Sequence, residues 1–126
     1  MDSRRVRTFG PRWGFGSAQP RSPGFLVPPH RHQTRLELFY VLEGELEFTI
    51  GEDTVVARAG SSVFVPKGAR HAYANVGGTP ARQLALWAPG GFEAFYEEMA
   101  AAFPPGAAFD WDAFVEIWRR HDTEPA

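Results

Sequence analysis

From residue 24 to residue 88 short apolar runs alternate with turn residues, the pattern of a small all-β sandwich or barrel. The expected strands are 24–28, 36–43, 45–50, 54–59, 62–66, 71–76 and 82–88. Between them stand Gly44, Gly51-Glu52-Asp53, Gly60, Pro66-Lys67-Gly68 and Gly77-Gly78, which supply the positive or fixed φ that tight turns need. Residues 1–23 are rich in Gly, Pro and Arg, follow neither a strand nor a helix period, and read as an irregular arm.

After Pro89-Gly90-Gly91 the period lengthens. Phe92, Phe95, Tyr96, Met99 and Phe103 recur at helical spacing until Pro104-Pro105-Gly106 stops the run. Asp110 is placed to cap a second helix whose Trp111, Phe114, Val115 and Trp118 form a stripe. Helices over 92–103 and 110–121 are therefore expected, with their aromatic rings packed against the outside of the barrel rather than holding a cofactor. The chain divides into an arm (1–23), a barrel (24–88) and a helical extension (89–126), without internal repeats.

One strand is apolar on both faces. In "LELFYVL", Glu37, Phe39 and Val41 share one side; Leu36, Leu38, Tyr40 and Leu42 share the other. Such a strand is covered on both faces. The barrel interior covers one, and a helix, a terminal segment or a second subunit covers the other; a homodimer is expected.

Composition narrows the classes. The 126 residues suit one domain, and 44% apolar content with 22% charged residues is that of a globular protein. With no cysteine there is no disulfide, no thiolate ligand and no cysteine nucleophile, which suits a reducing cytoplasm. No apolar run approaches the roughly 18 residues of a membrane span, and the opening "MDSRRVRTFGPRWGFG" lacks the apolar core of a secretory signal. Arg4, Arg5, Arg7, Arg12 and Arg21 make the first 23 residues basic, whereas residues 91–126 carry eight acids. Nothing resembling a nucleic-acid motif follows the basic arm, so it reads as solvated. Neither nucleic acid nor membrane is an expected partner.

The candidate chemistry lies in "PPHRHQTRLELF". The chain has four histidines, and two of them, His30 and His32, are one residue apart. In an extended segment they share a face, with Cα atoms about 6.5–7 Å apart. That spacing lets two imidazoles converge on one metal at about 2.1 Å. Glu37 has the opposite parity, and the polar Gln33-Thr34-Arg35 offers the bend that restores its aim. His71 follows a Pro-x-Gly turn and opens a strand from which it could enter the same cavity. His121, alone near a helix C-terminus, is assigned no role.

These residues carry a resemblance. Gly24-x5-His30-x-His32-x4-Glu37-x6-Gly44 is similar at every fixed position to the first cupin motif. Gly60-x5-Pro66-x-Gly68-x2-His71-x3-Asn75 is similar to the second. The "WAPGGFEAFYEEM" segment and the helix after it look like the tail of short single-domain cupins grouped as quercetin-dioxygenase-like. The resemblance implies a double-stranded β-helix (cupin or jelly-roll barrel) with two C-terminal helices. It also implies one divalent transition metal held by His30, His32, Glu37 and His71, with Glu37 able to act as general base. The family's usual strands ahead of the first motif find no counterpart in the alternation of "RRVRTFGPRWGFGSAQPR".

Three imidazoles and a carboxylate leave positions open for substrate on Fe, Mn, Ni, Co, Cu or Zn. Inward residues Phe39, Val41, Phe48 and Tyr73 are the candidate substrate pocket and favour an aromatic or otherwise apolar compound. The leading expectation is a metal-dependent dioxygenase or other oxidoreductase acting on a small phenolic or enolisable compound. An isomerase, cyclase or lyase using the same metal without O2, or a non-catalytic small-molecule-binding protein, would need the same barrel.

Overall fold

A computed structural model describes residues 6–9, 13–17 and 20–126. Two five-stranded antiparallel sheets face one another. One has the order β1 (Val6–Phe9), β2 (Trp13–Ser17), β9 (Arg82–Ala88), β4 (Leu36–Glu43), β7 (Ser62–Val65). The other has the order β10 (Glu124–Pro125), β3 (Leu26–Arg31), β8 (His71–Ala74), β5 (Glu45–Ile50), β6 (Asp53–Arg58). From β2 to β10 successive strands cross between the sheets at every step but the β5–β6 hairpin, which is the double-stranded β-helix expected from the motifs. Each of the seven strands expected between 24 and 88 is present.

The arm is where expectation and structure part. Two strands, β1 and β2, lie within the stretch read as irregular; they pair with each other, and β2 pairs with β9 from Gly14↔Trp87 to Ser17↔Leu84. Gly14 and Gly16 break any alternation there, so local pattern is silent and the exposed edge of β9 specifies the strand instead. Of the five arginines in the arm, Arg21 alone has a described side chain; its guanidinium lies 4.3 Å from the centre of the Phe25 ring. The solvated reading of the other four falls outside the described residues.

Alternation sets the interior. Phe39, Val41, Leu46, Phe48, Ala57, Val63, Val65 and Ala81 form one buried cluster. Gly44 shows why one motif position admits no side chain. It lies at φ +69°, and a Cβ there would stand 2.7 Å from the Pro80 carbonyl oxygen. Asn75, buried, ties down the following loop by donating to the carbonyls of Arg21 and Thr79 (both 2.8 Å) and accepting from Gly77 N (3.0 Å).

The helices run over Glu93–Ala102 (α1) and Trp111–Arg120 (α2), each within a residue of expectation, and Asp110 caps α2 by accepting from Ala113 N at 3.1 Å. Their placement corrects the expectation that their aromatic rings clad the outer wall. Phe92, Phe95, Ile117 and Trp118 pack instead with Trp87, Val27 and Ala85. Trp87 stands directly opposite Glu37 in the sheet and so points inward with it. The helical pair closes one end of the barrel.

Candidate metal centre

All four candidate ligands meet at that closed end. The β3–β8 ladder shifts register between Val27 and His30, where Pro28 and Pro29 have no amide hydrogens to give it. Beyond the shift His30 stands directly opposite His71, with ring centres 4.1 Å apart. His32 follows just past β3, and the bend at 33–35 returns Glu37 to the inward face of β4. Ligand atoms from His30, His32, Glu37 and His71 all lie within 4.8 Å of one another, and all four residues are buried.

Hydrogen bonds fix how the rings face. Nδ1 of His30 donates to Pro28 O (2.9 Å), Nδ1 of His71 to Ala69 O (2.9 Å) and Nδ1 of His32 to Asp122 O (2.8 Å). A carbonyl oxygen only accepts, so each Nδ1 carries a hydrogen and each Nε2 is left with a lone pair toward the centre. Glu37 adds acceptors: Oε1 lies 3.2 Å from His32 Nε2, and Oε2 lies 3.2 Å from His71 Nε2. His32 Nε2 is buried without a properly directed hydrogen-bond partner. Converging lone pairs repel unless a cation sits among them, either a proton or a metal ion. The donor set of three imidazoles and one carboxylate therefore fits a divalent transition metal, which these four residues could hold.

The electrostatics agree. Burial, reinforced by the neighbouring His71, pushes His30 down to about 4, so its imidazole stays neutral. Burial also works to lower His32, but the adjacent Glu37 carboxylate outweighs it and leaves His32 raised. For Glu37 burial alone would raise the carboxyl; the His32 and His71 rings beside its two oxygens hold it well below the ordinary carboxylate range.

Aromatic rings wall the centre. Phe92 meets the His32 ring edge-on at 5.5 Å, and Trp118 approaches His30 at 5.1 Å. Phe39, Phe48 and Tyr73 contact one another with ring centres 5.2–5.5 Å apart, and Val41 is buried in the same cluster. Gln83 and Trp87 also point inward, and Gln83 Oε1 and Trp87 Nε1 are buried without partners. Sequence reasoning missed Trp87, Phe92, Trp118 and Asp122 as neighbours of the site. Helical periodicity shows which rings share a face but not which end of the barrel that face meets. His121, at the end of α2, accepts no part in the centre; its Nε2 pairs with Glu98 Oε2 at 2.5 Å.

Comparison with known proteins follows the same residues. A protein of Streptomyces cyaneus named polyketide synthase CurC is 34% identical over 77 residues, 61% of this chain and 50% of that one. An oxalate-binding protein of Thermotoga maritima is 34% identical over 64 residues, 51% of this chain and 53% of that one. The chain thus spans about half the length of these curated relatives. The solved structure of KdgF from Halomonas sp. superposes with a TM-score of 0.65, covering 71% of this chain and 79% of that one at 16% identity, and so shares the fold. The family model described as a cupin domain matches residues 22–87, which include both motifs and all four converging side chains. That span exceeds half of the 126 residues, and the chain belongs to the cupin family.

Proposed function

We propose that this cupin is a metal-dependent oxidoreductase, a dioxygenase of a small phenolic or enolisable compound. The observation that carries the reading is the ring orientation: three imidazoles turned by backbone carbonyls, with Nε2 of His32 and of His71 each 3.2 Å from the Glu37 carboxylate and a ring nitrogen of His30 within 4.8 Å of the other ligand atoms. A metal bound there would supply Lewis acidity and a place for O2 and substrate to meet. The chain's own residues would do the rest. Glu37, kept ionised, would accept a proton from an enolic or phenolic hydroxyl, and the His32 and His71 edges would hold its two oxygens. Phe39, Val41, Phe48 and Tyr73, with Trp87 and Phe92, would present an apolar wall to an aromatic ring and exclude water. A relative named for polyketide synthesis supports the substrate class, since polyketide intermediates are enolisable and commonly become phenolic.

A second reading, a binding protein without turnover, is favoured by the oxalate-binding relative. Metal content and oxygen uptake separate the two. Protein reconstituted with Fe, Mn, Ni, Co, Cu or Zn should hold about one ion per chain; occupancy well under half with every metal would overturn the metal reading. Loaded protein should consume O2 with some member of a phenolic and enolisable panel. Saturable binding of such compounds without O2 uptake would favour the second reading, and conversion without O2 an isomerase, cyclase or lyase.

The same reading takes the chain as a homodimer. On the outer face of the first sheet, Phe64, Leu38 and Leu86 stand in one row and Tyr40 beside Leu84 in the next. The cluster formed by the helices contains none of these residues, and Phe64 is 55% exposed. Light scattering at micromolar concentration should give twice the chain mass, and a monomer mass would overturn the dimer.

A further inference from the structure

His30 and His71 find their Nδ1 acceptors two residues back along the chain. His32 does not. Its acceptor is the Asp122 carbonyl, 90 residues away, and the Thr123 hydroxyl lies 3.2 Å from the same Nδ1. Asp122 makes a second set of contacts with its carboxylate. Oδ1 accepts from Gln33 N (2.9 Å), and Oδ2 accepts from Thr34 N (2.9 Å) and Thr34 Oγ1 (2.6 Å). The bend that sets the distance from His32 to Glu37 is gripped from outside the barrel. Asp122 sits at φ +52°, a left-handed conformation that Asp and Asn tolerate better than most residues, and this turn aims both carbonyl and carboxylate at residues 32–34. Just beyond, β10 pairs with His30 and Arg31, and Ala126 N donates to Pro29 O at 3.1 Å.

We propose that Asp122, assisted by Thr123, is the positioning residue of the metal centre. It orients His32 and fixes the His32–Glu37 span, and so sets the affinity and coordination geometry of the ion. The inference rests on the metal reading above but concerns residues far from both cupin motifs. Partners that orient metal-bound histidines are commonly worth 10–100-fold in metal affinity, and about that loss is expected here.

The test uses cobalt(II), whose visible absorption reports coordination geometry, titrated into the metal-free 126-residue chain. Asp122→Gly removes the carboxylate and is at ease at positive φ, so it separates the clamp from backbone strain. It should weaken cobalt binding about 10–100-fold and change the absorption spectrum. Asp122→Asn keeps one acceptor oxygen and should recover part of the loss. Thr123→Val, which removes one hydroxyl, should weaken binding less than Asp122→Gly does. Asp110→Ala removes the cap at the far end of α2; it should lower the melting temperature while leaving cobalt affinity and spectrum as in the wild type. Wild-type affinity and spectrum in both Asp122→Gly and Thr123→Val would overturn the inference. So would an equal loss in Asp110→Ala, which would assign the effect to stability in general. Wild-type protein that takes up no metal at all would overturn the metal reading and this inference together.

Discussion

The barrel interior has two compartments of opposite chemistry. Toward one end, Phe39, Val41, Leu46 and Phe48 fill the space with apolar surface and no buried charge. At the end closed by the helices, three histidines and a glutamate are buried within reach of one another. The first compartment favours folding as it stands, because every group in it prefers to leave water. The second opposes folding unless a cation reconciles its lone pairs, because buried polar groups cost free energy when unpaired. Apolar packing in the one favours folding and the polar cluster in the other could hold a metal ion, so substitutions in the two should separate stability from metal affinity.

The largest expected effects fall at the polar end. On the proposed oxidoreductase reading, Glu37→Gln keeps an oxygen donor and the shape but is a poor base, so turnover per bound metal should fall about 10²–10⁴-fold. Metal should stay bound, more weakly. His71→Ala should lower occupancy and turnover together, because it removes a ligand outright. Metal content measured beside rate distinguishes them, and near-normal turnover in metal-loaded Glu37→Gln would exclude the base role.

Phe48→Ala probes the other compartment. Phe48 is wholly buried, and its truncation should cost about 3–5 kcal/mol in denaturant unfolding. Cobalt affinity of the folded fraction should change little, and an equally large loss of affinity would erase the distinction between the two ends. Chelation comes next in size. Metal at 100 times its dissociation constant should stabilise the fold by about 2.7 kcal/mol, so a melting temperature indifferent to chelator would count against a pre-organised site. The smallest change lies outside both compartments: loss of the Asp110 cap should cost about 1 kcal/mol.

The two compartments were unequally legible in the sequence. Strand alternation places Phe39, Val41 and Phe48 inward because side-chain direction in a strand depends on parity alone. The four ligands were legible as motif residues, and two of the three histidines are oriented by carbonyls two positions away. What closes the polar end was not legible. Trp118 on His30 and Asp122 on His32 are contacts across the whole chain, and no local spacing encodes them. The strands at Val6–Phe9 and Trp13–Ser17 were hidden for a related reason: they are specified by the sheet edge they join.

The separation of His32 from its acceptor also has a consequence in time. On a ribosome adding about 5–20 residues per second, Asp122 is made roughly 5–18 seconds after His32. Only from His71 onward, 51 residues or about 3–10 seconds before Asp122, does a nascent chain hold all four candidate side chains while one imidazole lacks its anchor. An ion captured early would meet a loose set of donors, and selection by geometry would begin only once residues 122–123 emerge and dock. Metal supplied after cell-free synthesis should therefore load the protein as fully as metal present throughout.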